Sequence, residues 1–111
     1  MEFQAEELAE IFSIFSNAKR LLIFWSLDGE EKSVNEIAEV IGSSMQNTSQ
    51  HLRLMKAKNI LHTRREGQLI YYRIADSEVA DFCRYLLPET YHDYLLASEK
   101  ASADKEFIAG E

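Results

Sequence analysis

Apolar residues at Leu8, Ile11, Phe12 and Phe15 recur at helical spacing and predict an amphipathic helix over about 4–16. Asn17 is placed to cap a second helix, about 18–28, whose "LLIFWSL" run is apolar on most sides. A helix of that kind sits in the middle of a core. Asp28-Gly29 ends it. Ser33-Val34-Asn35-Glu36 reads as a capping box, in which serine and the glutamate three residues on satisfy each other's backbone N–H groups. It opens a short helix with Val34, Ile37, Ala38 and Ile41 inward, closed by Gly42 in the left-handed conformation. Ser43-Ser44-Met45-Gln46 has the same spacing and predicts a further helix to about Lys58, where Asn59 can stop it. Two β-rich runs, 60–65 and 69–74, flank Glu66-Gly67-Gln68 and predict a hairpin. A fifth helix starts near Asp76 as N-cap and carries Val79, Phe82, Leu86 and Leu87. Pro88 kinks or restarts it, and a last segment runs to about residue 98–100.

Two capped helices joined around a glycine form a helix-turn-helix, here spanning about 33–58. Its second helix is unusual. At 100° per residue, Met45, Thr48, Leu52 and Met55 share one side and predict burial. Gln46, Gln50 and Arg53 lie nearly opposite, flanked by Asn47 and Ser49. A solvated helix face ordinarily carries Glu and Lys. Amides pair bidentately with adenine, Arg with guanine, and Ser with several base edges, so this stripe suits the major groove.

Charge sharpens that picture. The 111-residue chain carries a net −7, which taken alone argues against a polyanion partner. Residues 1–42 hold three Lys/Arg against nine Asp/Glu, a balance of −6, and residues 74–111 repeat it. Residues 43–73 hold Arg53, Lys56, Lys58, Arg64, Arg65 and Arg73 against Glu66 alone, a balance of +5. One basic third in an acidic chain is the electrostatic footprint of a nucleic-acid binder. A single cysteine, Cys83, excludes an intrachain disulfide framework and a thiolate-rich zinc site. No apolar run approaches the roughly 20 residues that cross a bilayer, and the acidic N-terminus lacks a signal-peptide layout; a cytoplasmic location is expected. No glycine-rich phosphate loop, HExxH motif or spaced nucleophile–base pair is present, so no enzyme is expected.

The run "NEIAEVIGSSMQNTSQHLRLMKAKNIL" followed by "RREGQLIYYRI" resembles the ArsR/SmtB family of winged helix-turn-helix repressors. The resemblance covers residues 8 to about 96. Its most specific pieces are Ser49-x-His51-Leu52-x-x-Met55, Ile60-Leu61, Arg64-Arg65-Glu66-Gly67 and Tyr71-Tyr72. Asn59 stands where the family usually has glycine. The elements together make a mainly α domain of five to six helices with a small β-hairpin, over residues 1–100, with a flexible tail at 101–111, and the resemblance implies that this domain is a winged helix-turn-helix. The hairpin, about 60–74, becomes the wing, and helices at about 4–16 and 76–98 become dimerisation helices. A homodimer on a palindromic operator in double-stranded DNA follows, released by a small effector or a redox signal. Ser44, Gln46, Asn47, Ser49, Gln50, His51, Arg53 and Lys56 are the candidate contacts on the reading helix, and Arg64 and Arg65 those on the wing. The competing expectation, which the acidic total favours, is a winged-helix protein-interaction module without sequence-specific DNA binding.

The signal is less legible. The family's cysteine-rich metal box falls on "SVNEIAEVIG", which has no cysteine. Its redox members use a cysteine pair, whereas this chain has only Cys83, leaving an intersubunit disulfide as the thiol option. The family's C-terminal metal pattern falls on Asp76, Glu78, Glu89 and His92, a set able to ligate a divalent cation. Solvated surface carboxylates are the plainer account of it. An aromatic effector pocket from Phe12, Phe15, Trp25, Phe82 and Tyr85 is a further option, against which stands ordinary core packing.

Overall fold

The computed structural model describes residues 2–87, 96, 97, 99 and 100. Five helices, α1 (Ala5–Ile14), α2 (Ala18–Ser26), α3 (Val34–Ile41), α4 (Met45–Ala57) and α5 (Glu78–Leu86), surround a small antiparallel sheet. The strands are β1 (Lys32–Ser33), β2 (Leu61–Glu66) and β3 (Leu69–Ile74), in the order β1-β3-β2. Helix ends obey the local signals. Asn17 accepts the Arg20 N–H, and Ser33 and Glu36 form the reciprocal box. Gly42 ends α3 at φ 64°, and Asn59 takes φ 62° after α4. Both conformations suit residues that tolerate the left-handed region. The hairpin turns on Gly67-Gln68, with Gly67 at φ 61°, the sign a tight hairpin needs at its first turn position.

The core joins the five helices with β2 and β3. Ile23, Leu27, Ile37, Leu52, Met55, Ile60 and Leu61 are fully buried, with Ile11, Ile14, Phe24, Ile41 and Ile74 around them. Leu52 and Met55 of α4 are thus sealed against α3 and the sheet, which fixes the opposite side of α4 outward. No helix among the described residues is long and apolar enough to cross a membrane.

Several local expectations change. β1 is a third strand, pairing Lys32 with Tyr72 and Ser33 with Tyr71, so Ser33 serves both as strand residue and as helix cap. Phe12 is 56% exposed, because the buried row of α1 runs through Ile11 and Ile14 and Phe12 lies 100° off it. Met45 is 46% exposed: it opens α4 at the edge of the buried arc and borders a groove with Gln68 and Leu69 of the hairpin. α5 is capped by Ser77, not Asp76. Ser77 Oγ accepts the Ala80 N–H at 3.0 Å and donates to the Asn59 carbonyl at 2.7 Å, while Asp76 pairs with Arg73. Of the last helical segment, expected from Pro88 to about residue 98–100, residues 96, 97, 99 and 100 are helical; the rest of it and the tail at 101–111 lie outside the described residues.

Candidate nucleic-acid interface

α4 carries the candidate reading surface. Ser44 caps it, accepting the Asn47 N–H at 3.1 Å, and Thr48 Oγ1 donates to the Ser44 carbonyl at 2.7 Å. The expected Ser-x-x-Gln box does not form. With Ser44 as N-cap, Gln46 is only the second helical residue, and its amide stays out of the capping geometry. Gln46, Asn47, Gln50, Arg53 and Lys56 are exposed and Ser49 is half-buried. The outward face is therefore amides with cations toward its C-terminal half, over a sealed apolar base. His51 is half-buried on the flank, where Arg20 Nη1 lies 3.3 Å from its Nδ1.

The hairpin separates its two arginines. Alternation along β2 puts Arg65 on the same sheet face as Leu61, Thr63, Tyr72 and Ile74, the face turned to the core and α4. Arg53 of α4 lies near enough to Tyr72 to lower its pKa against the larger upward push of burial. Arg64 is on the other face. Its Nε and Nη2 both donate to Glu31, its Nη1 donates to Glu66 at 3.0 Å, and its guanidinium lies 4.7 Å from the Tyr71 ring centroid. These partners raise the Arg64 pKa and lower that of Glu31. By sequence alone the two adjacent arginines are equivalent candidates for contact with phosphate or the minor groove. Arg64 is paired with two carboxylates, Glu31 and Glu66, the first of them 33 residues away in sequence. Arg65 forms no ion pair among the described residues and is exposed.

The chain's similarities agree with this geometry. A family model described as "Helix-turn-helix domain" matches residues 15–64. The regulator KmtR of Mycobacterium tuberculosis is 38% identical over 72 residues, which cover 65% of this chain and 55% of KmtR. The crystal structure of NolR from Sinorhizobium fredii superposes with a TM-score of 0.65 at 36% identity, covering 78% of this chain and 93% of NolR. The chain belongs to the ArsR/SmtB family. Its fold is the winged helix-turn-helix. A Mycobacterium bovis protein described as a homodimeric winged helix-turn-helix DNA-binding domain, a possible ArsR-family regulator, gives a TM-score of 0.65 at 27% identity, over 89% of this chain and 92% of that one. The present chain spans little more than half the length of KmtR.

For this ArsR/SmtB member the sensing candidates fare unequally. Asp76 is engaged by Arg73 Nη1 at 3.3 Å, and Glu78 is exposed in the first turn of α5. Glu89 and His92 lie outside the described residues. Among the described residues no three His, Cys, Asp or Glu side chains converge. Cys83 is fully buried, and burial pushes its thiol up to about 11. A thiol so placed is the inert kind, since the thiolate is the reactive form. Of the five aromatics considered for an effector pocket, Phe12 and Tyr85 are surface residues, and Phe15 stacks edge-on against Phe24 of the core.

The long-range supports of this surface have no counterpart in the sequence pattern. Glu31, Arg20, Lys58 and Glu10 orient the wing and α4, through Arg64–Glu31, Arg20–His51 and a 2.6 Å Lys58–Glu10 pair. No spacing signal marks them, because each bridges 31 to 48 residues.

Proposed function

We propose that this protein is a sequence-specific, DNA-binding transcriptional repressor that acts as a homodimer on a palindromic operator and is released by a small effector. The observation that carries the reading is the face of α4: Gln46, Asn47 and Gln50 exposed beside Arg53, with Leu52 and Met55 sealed behind them. Amides and arginine read base edges, and exposed cations at the rim of the same helix and on the wing hold phosphates. The dimer is supported by apolar surface on the two helices assigned to it: Phe12 on α1 and Tyr85 on α5 are 56% and 82% exposed. A two-fold dimer places its reading helices on half-sites about one helical turn apart.

Release by a small effector accords better with the site than thiol chemistry does, because Cys83 is buried with its pKa raised. A divalent cation on Asp76, Glu78, Glu89 and His92 is the metal form of the proposal. The deciding experiment is fluorescence anisotropy of the purified protein on its own upstream DNA, with increasing salt and with zinc, manganese or nickel added. Operator binding that falls steeply with salt supports the repressor. Weak, salt-independent binding to every sequence would replace it with a protein-interaction module, the reading the acidic total favours. Release by a metal, lost in Glu89→Ala or His92→Ala, identifies the C-terminal site.

A further inference from the structure

The flank of α4 is tied to the first two helices. Arg20 of α2 directs Nε to the Ile14 carbonyl at 2.7 Å and Nη2 to the Ser13 carbonyl at 3.4 Å, the groups that end α1. Its third nitrogen, Nη1, meets His51 Nδ1 at 3.3 Å. A guanidinium has five donors and no acceptor, so the imidazole nitrogen facing it has to accept. That leaves the ring proton on Nε2, a choice the geometry of an isolated histidine would leave open. No hydrogen bond to His51 Nε2 forms among the described residues. His51 follows Gln50 directly and Asn47 by one turn, at the edge of the reading stripe.

We propose that Arg20 is a positioning residue: it holds His51 in the Nε2–H form, so that α4 presents a fixed hydrogen-bond donor to a DNA phosphate, and it ties that donor to the end of α1. This rests on α4 being the helix that lies in the groove. Phosphate oxygens only accept, so a histidine with its proton on the inner nitrogen would offer them nothing. The charged groups acting on His51 are Arg20 and Lys19, both on α2, and with burial as the larger cause they hold its pKa below the ordinary value. Nε2 carries a proton in this tautomer and in the imidazolium alike, so the donor does not come and go with small pH changes. Since α1 is also an assigned dimerisation helix, Arg20 fixes the phosphate contact relative to the dimer frame.

The test combines nitrogen NMR of His51 with DNA anisotropy at pH 8 and pH 6 and constant salt. In the wild-type protein without DNA, His51 is expected as the Nε2–H tautomer, titrating below the ordinary histidine value. His51→Ala should weaken binding to all sequences by about a hundredfold, roughly tenfold for each of the dimer's two missing hydrogen bonds to a charged group. Arg20→Gln should cost a similar factor at pH 8 and regain much of it at pH 6, as the released histidine protonates beside the phosphates. A wild-type proton on Nδ1, or wild-type affinity in His51→Ala, overturns the proposal; both readings survive a poorly folding Arg20→Gln. If the wild-type protein shows no salt-dependent DNA binding, the groove assignment itself fails and the phosphate contact goes with it. The tautomer then still reports separately on whether Arg20 orients the ring.

Discussion

Replacing each wing arginine in turn should give opposite results in a salt titration. In the basic third of the chain Lys58 is paired with Glu10, Arg64 with Glu31 and Glu66, and Arg73 with Asp76. Arg53, Lys56 and Arg65 are exposed and form no ion pair among the described residues. With Arg53 on base edges, a dimer then offers about four unpaired cations, Lys56 and Arg65 of each protomer, to phosphates. Counterion release gives a slope of roughly −0.9 per phosphate neutralised, hence about −3.6 in log K against log salt, or roughly a 150-fold loss between about 50 and 200 mM. Arg65→Ala removes two of the four and should flatten the slope to about −1.8. Arg64→Ala should leave the slope nearly unchanged, because its charge is already matched by carboxylates. Anisotropy on a fixed operator fragment at five or six salt concentrations reads both numbers. Equal flattening by the two substitutions would refute the reasoning, since Arg64 would then have to leave Glu31 and Glu66 on binding DNA.

Other consequences are open to simpler assays. Gln50→Ala or Arg53→Ala should relax base preference by about 1–3 kcal/mol for each bidentate pair removed, measured on operator variants; unchanged preference in both would take α4 out of the reading role. Leu52→Ala empties a fully buried site between α4 and the rest of the core and should cost about 2–5 kcal/mol in denaturant unfolding. Cys83 should resist a thiol reagent at pH 8 in the native protein and react once the chain is unfolded. Its pKa is raised by folding, so the stability it contributes is intact below the ordinary thiol value and is lost as pH rises through about 11. An alkaline unfolding profile identical in Cys83→Ser would contradict that assignment.

What the sequence determined by itself lies within a few residues of its cause. The Ser33–Glu36 box, the Asn17 cap, the left-handed Gly42 and Asn59 and the Gly67 turn are all set by neighbours three or four positions away. The amide stripe follows the same rule, because helical periodicity alone turns Gln46, Gln50 and Arg53 away from Leu52. Competition between partners was settled only by the folded chain. Asp76 and Ser77 are both able cap residues, but Ser77 also reaches the carbonyl of Asn59, while Asp76 is drawn to Arg73. Arg64 and Arg65 are adjacent and alike in sequence, yet the alternation of a strand sends them to opposite faces, and Glu31 waits on only one. The Arg20–His51 contact spans 31 residues and decides where a proton sits. Local hydrogen bonds close in a handful of rotatable bonds and so leave a signature in spacing; a charge or donor that finds its partner across the core does so only because packing has already brought the two elements together.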